Sequence, residues 1–222
     1  MDDRHFNQNT ALEWIETVEG EKSHVREVDL YPHLRGWVDR IGPSEIIDIG
    51  CGQGICSEKI DLNGRKYTGV EPSLFLLERA IQLHPGRNRR FVVGNAYALP
   101  FSDGYFDAAF SIAVWHLLED KLKAACELSR ILKEGGYFMI VAANPDAYDE
   151  WTSTYASCTR DGHRFEGRMR QDDGSESIDI LYLHTYDEII ASLQSAHLDV
   201  QETTTFRTAI SIQGIKRTAR RF

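Results

Sequence analysis

Between positions 48 and 54 the chain reads Asp48-Ile49-Gly50-Cys51-Gly52-Gln53-Gly54, directly after the β-branched run Glu45-Ile46-Ile47. Glycines clustered there open backbone conformations closed to other residues. They also let a ligand approach the main chain where a Cβ would block it. Asp48, just before them, can hold the loop by accepting backbone N–H bonds. A helix-like stretch, Ser57 to Leu62, and a second β run, Lys66 to Glu71, follow. Strand, glycine turn, helix and strand make a βαβ unit, which needs a parallel sheet.

The alternation continues with a helix over Ser73 to Leu83, strands over Arg90 to Val93 and Asp107 to Phe110, a helix over Lys121 to Leu132 and a strand over Tyr137 to Ala142. Such alternation argues for a mainly parallel sheet covered on both faces. Two helices precede it. One begins at Thr10 with apolar residues at helical spacing through Ile15, and one spans Val25 to Ile41, where Gly42-Pro43 stops it. Residues 145–183 read as an insertion with strands Arg164 to Arg170 and Ser177 to Leu183 around the turn Asp172-Asp173-Gly174. A helix over Asp187 to Ala196 and an antiparallel pair, Leu198 to Phe206 and Thr208 to Lys216, close the chain.

Composition narrows the partners. The 222 residues carry 34 acidic and 25 basic side chains, a net charge of −9, and the one dense basic stretch is Lys216, Arg217, Arg220, Arg221. A grip on nucleic acid needs a clustered excess of Lys and Arg, so a small molecule, neutral or cationic rather than anionic, is the expected partner. No run approaches the ~20 apolar residues that span a bilayer. The N-terminus lacks the basic-then-apolar order of a signal peptide, and the four cysteines form no C-x-x-C pair. A cytoplasmic protein with free thiols and no membrane contact is expected. No His, Cys and carboxylate set has ligand spacing, so no metal is expected either.

A dinucleotide fingerprint would place glycine at position 55, where the chain has Ile55. Glu71 ends the second β run, where a carboxylate accepts from both hydroxyls of a ribose. Together with Gly69 to Ser73, Val93 to Phe101, Phe106 to Ser111 and Leu132 to Gly136, the glycine turn resembles the class I S-adenosylmethionine-dependent methyltransferases of the small-molecule type.

The resemblance implies a single α/β domain with a Rossmann-like methyltransferase fold: a mainly parallel seven-stranded sheet with an antiparallel C-terminal strand, helices on both faces and a small lid insertion. The expected division is a helical cap over 1–42, a cofactor-binding core over 43–144, a substrate lid over 145–183, and a C-terminal helix and strand pair over 184–222. It implies S-adenosylmethionine as cofactor. Gly50, Cys51 and Gly52 would line its amino-acid part, Glu71 would hold the ribose and Pro72 would pack near the adenine. Asn95, where the family commonly has Asp, and the Ala96 N–H would face the adenine edge. Ser111 and Ile112 would face the methionine portion, and Arg26 would pair with its carboxylate.

The implied activity is methyl transfer to an oxygen or nitrogen of a small molecule, an aromatic or heterocyclic one by the aromatic content of the roof. Such a displacement requires alignment more than a nucleophilic residue. His116, past the fourth strand, is the candidate general base. Trp14, Trp115, Tyr155 and His184 are candidates for the substrate wall, with Trp151 and Tyr182 in the same segments.

Three rivals remain. A nucleotide-binding oxidoreductase conflicts with the glycine spacing. A nucleic-acid methyltransferase would draw on Asn144-Pro145-Asp146, which follows the fifth strand and lacks the aromatic of the corresponding DNA-enzyme motif. A non-catalytic S-adenosylmethionine-binding protein would keep the same residues, because methyl transfer leaves few obligatory catalytic side chains.

Overall fold

The computed structural model describes residues 25–170, 174 and 176–218, with Ala11, Leu12, Ile15 and Val18 before them; of Trp151 it describes the backbone. The strands are β1 (Glu45–Ile49), β2 (Lys66–Glu71), β3 (Arg89–Val93), β4 (Phe106–Ile112), β5 (Leu132–Ala143), β6 (Ser157–Asp161), β7 (Arg164–Arg170), β8 (Glu176–Tyr182), β9 (Leu198–Thr205) and β10 (Ala209–Lys216). Seven of them form one sheet in the order β3-β2-β1-β4-β5-β10-β9. β1 pairs in parallel with β2 and β4, β2 with β3, and β4 with β5, whereas β10 runs antiparallel to both its neighbours. This is the mainly parallel, Rossmann-like arrangement that the sequence leads one to expect.

Neighbouring residues on each strand feed opposite faces of the sheet, as a pleat of period two requires. Ile47, Ala109, Phe138 and Ile140 pack on one side with Leu128, Ile131, Ile189 and Leu193. Ile46, Ala108, Met139 and Val141 pack on the other with Leu34, Trp37 and Val38. The covering helices are α1 (Tyr31–Ile41), entered through a π-helical turn at Arg26–Leu30, then α2 (Cys56–Lys59), α3 (Leu74–Leu83), α4 (Lys121–Ile131), α5 (Tyr148–Thr152) and α6 (Tyr186–Ser195). Their ends are built locally. α1 has Pro32 in its first turn and stops at Gly42, whose φ of 57° is left-handed. Ser73 and Asp120 cap α3 and α4, and Thr185 with Glu188 forms a capping box on α6. Ala11 and Ile15 pack on Leu76 of α3.

The segment after β5 departs from expectation. It holds three antiparallel strands, β6-β7-β8, rather than two, plus the short helix α5. β6 reads Ser-Cys-Thr-Arg-Asp and is exposed throughout, so it offers no apolar alternation to read. Residues Asp172 and Asp173 of the expected turn lie outside the described residues. β5 begins at Leu132 rather than Tyr137, and α2 spans four residues, ending at Lys59 rather than Leu62. Among the described residues no helix is long and apolar enough to cross a membrane.

Gly214 sits where the β9–β10 register shifts, and a Cβ there would overlap the Asp199 carbonyl oxygen. Backbone cannot swing aside as a side chain can. Gly214→Ala is expected to destabilise the protein by about 1–3 kcal/mol, read as a lower urea midpoint at unchanged slope; an unchanged midpoint contradicts this packing.

Candidate active site

β2 and β4 lie on opposite sides of β1, so the chain leaves β1 and β4 in different directions and a crevice opens between their carboxyl ends. Four turns meet there: 50–54 after β1, 71–73 after β2, 95–96 after β3 and 111–114 after β4. The structure therefore brings Gly50, Cys51, Gly52, Glu71, Pro72, Asn95, Ala96, Ser111 and Ile112 to one edge of the sheet.

The glycine turn is fastened to β2. Gly50 and Cys51 both donate to the Val70 carbonyl, at 2.8 and 3.0 Å. Gly50, Gly52 and Gly54 have φ of 78°, 54° and 80°. A Cβ on Gly50 would run into the Val114 side chain, and one on Gly54 would meet Phe91 at 2.8 Å. The absence of a side chain is thus required on both conformational and steric grounds.

Glu71, 5% exposed, supports the turn from below. Its Oε2 accepts from the Gly52 N–H and its Oε1 from the Ser73 N–H, each at 3.0 Å. Burial raises its pKa, and the two N–H bonds oppose that rise. Each oxygen keeps a second lone pair, the pair of acceptors that a ribose diol requires. Asp48 behaves differently from expectation. It accepts from the Tyr67 hydroxyl at 2.7 Å, a side-chain partner in place of the expected backbone donors. Burial pushes its pKa up to about 7, against the Tyr67 hydrogen bond and helped by the Glu71 charge.

Ser111 donates to the Ile49 carbonyl at 2.9 Å, pinning β4 to β1 at the crevice, and Ile112 is buried beside it. The next residue, Ala113, has φ of 61°, a left-handed conformation that costs a non-glycine residue on the order of 1 kcal/mol. It turns the chain so that Val114 lies over Gly50. Asn95 Oδ1 accepts from the Tyr97 N–H at 2.9 Å, which holds the Asn95–Ala98 turn and leaves one lone pair. Arg26 stands beside the Tyr31 hydroxyl, with Cys56 and His116 within its field.

The expected catalytic and wall residues divide. His116 lies in a single 3-10 turn, Trp115–Leu117, and is buried. Burial, then the Lys121 and Arg26 charges, lower its pKa to about 3, so the imidazole is neutral at physiological pH. Trp115 is 3% exposed and packs in the core with Ile49, Leu118 and Leu128; it is a wall of the interior rather than an open surface. Tyr155 turns into the lid. Its ring covers Gly167 and meets Phe165 edge-on, and its hydroxyl donates to Asp179 at 2.8 Å. His184 sits where the lid joins α6, with a pKa lowered to about 4 by burial, Lys121 and His163. Trp14 and the Trp151 side chain lie outside what is described. A cleft of about 450 Å³ opens at the lid junction, lined among others by Asp146, Tyr148, Arg160, Leu183 and Asp187.

Residues 47–140 match the methyltransferase domain family. Over that stretch the chain is similar to the class I S-adenosylmethionine-dependent methyltransferases. A malonyl-[acyl-carrier protein] O-methyltransferase of Legionella pneumophila is 24% identical over 80% of this chain and 62% of its own length. A tRNA (carboxymethyluridine(34)-5-O)-methyltransferase of Arabidopsis thaliana is 34% identical over 44% of this chain and 23% of its own. The chain thus spans less than two thirds of the curated relatives it matches. The fold of a Clostridium acetobutylicum S-adenosylmethionine-dependent methyltransferase superposes with a TM-score of 0.71, at 13% identity over 95% of this chain and 99% of the other.

One residue of the methyltransferase domain went unremarked in the sequence. Lys121, 3% exposed, donates to the Leu118 carbonyl and, at 3.2 Å, to the Tyr182 carbonyl of the lid. Burial lowers its pKa to about 7, with Glu188 opposing. The signal was its spacing: 121, 124, 125 and 128 share one helical face, and Ala124, Ala125 and Leu128 are all buried.

Asp48 gives a pH signature. Its folded pKa of about 7 exceeds the ordinary value of 3.8, so the folded state holds the proton more tightly. Its contribution to stability is full at low pH and is lost as pH rises through 7. Asp48→Asn is therefore expected to gain stability relative to the parent between pH 5 and pH 8, roughly one to two units either side of that folded pKa, in urea titrations. A constant difference between the two proteins contradicts the assignment.

Proposed function

We propose that this chain transfers the methyl group of S-adenosylmethionine to an oxygen or nitrogen of a small-molecule acceptor. The observation that carries the reading is Glu71, whose buried carboxylate stands behind the glycine turn with acceptor capacity left for a ribose. The residues fit the cofactor on that ground and on the positive φ of Gly50 and Gly52, which shapes the turn without side chains. Bound there, S-adenosylmethionine supplies an electrophilic methyl on a sulfonium. Gly50, Cys51 and Gly52 would line its amino-acid part, Arg26 would meet its carboxylate, Pro72, Asn95 and Ala96 would surround the adenine, and Ser111 and Ile112 would lie under the methionine chain.

The chain's task is then to align the methyl acceptor and to take its proton. Alignment in a closed site supplies most of the acceleration of an in-line displacement. His116 is neutral and so open to a proton. A buried imidazole is a weak base, yet an oxygen or nitrogen gaining a methyl becomes a strong acid as the bond forms, so a weak base in position suffices. Trp115 and Tyr155, packed in the core and in the lid, would back the methyl-acceptor site rather than line it, with His184 at its lid edge and Trp14 as a further wall.

The tRNA-modifying relative supports a second reading in which the methyl acceptor is a nucleotide in RNA. The net charge of −9 favours the small molecule. A salt-dependent shift of labelled RNA on titration with the protein would reverse that preference.

Two variants test the proposal. Glu71→Ala is expected to weaken S-adenosylhomocysteine binding by about 1–3 kcal/mol in calorimetry; unchanged affinity removes Glu71 from the ribose site. His116→Ala is expected to lower turnover about 100-fold at unchanged cofactor affinity, and the parent profile of kcat/KM should show no His116 inflection near pH 6.5. Normal turnover in the variant returns His116 to packing.

A further inference from the structure

Away from the crevice, three chain segments converge on one point at the lid junction. His163 occupies the turn between β7 and β6, His184 follows β8, and Glu188 lies in the first turn of α6. One ligating atom from each lies within 4.8 Å of the others. The two imidazoles stack with centroids 4.2 Å apart and planes inclined by 14°, so both present an edge to the same carboxylate.

The hydrogen bonding turns a ring nitrogen of His163 toward the Glu188 carboxylate. His163 Nδ1 lies 3.3 Å from the Leu183 carbonyl oxygen, which can only accept, so Nδ1 carries the proton. In the neutral ring Nε2 is then a lone pair, and it faces Glu188 Oε1 at 3.2 Å. Two acceptors that close repel unless a positive charge lies between them. A metal-ligating histidine is oriented by the same far-side hold, its other N–H donated to a backbone carbonyl while the near nitrogen is left to the ion. Glu188 Oε2 accepts from the Thr185 N–H and hydroxyl, which fixes the carboxylate while leaving Oε1 to His163. His184 Nδ1 stands 4.0 Å from that carboxylate.

We propose that His163, His184 and Glu188 form a binding site for a divalent transition metal of zinc's class, which fastens the lid sheet to α6. Two imidazoles and one carboxylate suit zinc, and the set leaves a fourth position open to water. A tetrahedral ion with ligands at about 2.0–2.1 Å sets them roughly 3.3 Å apart, so the group must close by about 1.5 Å at its widest. His163 and Glu188 have the room: their side chains are 46% and 43% exposed. No spacing announced the site, because its ligands come from a hairpin turn, a strand end and a helix that only the folded lid brings together.

The test uses the untagged full chain, stripped with chelator and titrated with zinc by calorimetry and with cobalt by visible absorption. One ion per chain is expected, with a raised melting temperature and the absorption of cobalt bound by nitrogen and oxygen. His163→Ala, on an exposed turn, and Glu188→Gln, which keeps the cap on α6, are each expected to weaken binding at least about tenfold. Absence of saturable binding in the parent, or parent-like affinity in either variant, overturns the site. Neither result bears on cofactor binding at Glu71.

Discussion

The contact on which the crevice depends is the pair of hydrogen bonds from Gly52 and Ser73 to the two oxygens of Glu71. One carboxylate joins the turn after β1 to the start of α3, so the two loops that would hold the cofactor's ends move as a unit. Its burial is costly, and the N–H bonds offset that cost by satisfying the charge from the backbone. The glycine turn supplies its own half of the bargain. With φ positive at Gly50, Gly52 and Gly54, successive N–H groups turn inward and reach Glu71 and the Val70 carbonyl, a path no Cβ would permit.

Beneath this pair lies a second layer that residue types alone did not reveal. The Tyr67 hydroxyl donates to Asp48, and Tyr67 in turn packs between Phe91 and Phe110. Asp48 thereby gains a rigid partner from the neighbouring strand. The acidic residue that opens the glycine turn is thus held by the sheet, and the turn is held by Glu71, so the two carboxylates divide the work of shaping the site. Ser111, bonded to the Ile49 carbonyl, closes the same edge from the β4 side.

The core was legible because its signals are local. A β-branched run before glycines, a carboxylate ending the next strand and apolar residues at helical spacing each report on a few consecutive positions, and β1, β2, α3 and α4 fell where those patterns lie. The lid was less legible. β6 is exposed along its length and α5 spans five residues, so neither leaves a periodic trace. Side-chain direction was the other gap. Trp115 and Tyr155 carry aromatic rings suited to a substrate wall, but one fills the core under α4 and the other stacks on Gly167 inside the lid. Spacing shows which face of an element a residue shares; it does not show what folds over that face.

The lid junction shows how burial governs charge where basic groups crowd. His116 and His184 both sit within the field of Lys121, and burial is the largest influence on each of the three, lowering all of them. Glu188 opposes that lowering at Lys121 and His184. A depressed histidine pKa means that the unfolded chain takes up protons below about pH 6.5 while the folded chain does not. The stability these two histidines leave intact at neutral pH is therefore lost as pH falls from that point toward 3. Lys121 spans the same joint, donating to Leu118 in the core and Tyr182 in the lid. Protonating His184 would set a new positive charge against it, so acid strains the contact that holds lid to core.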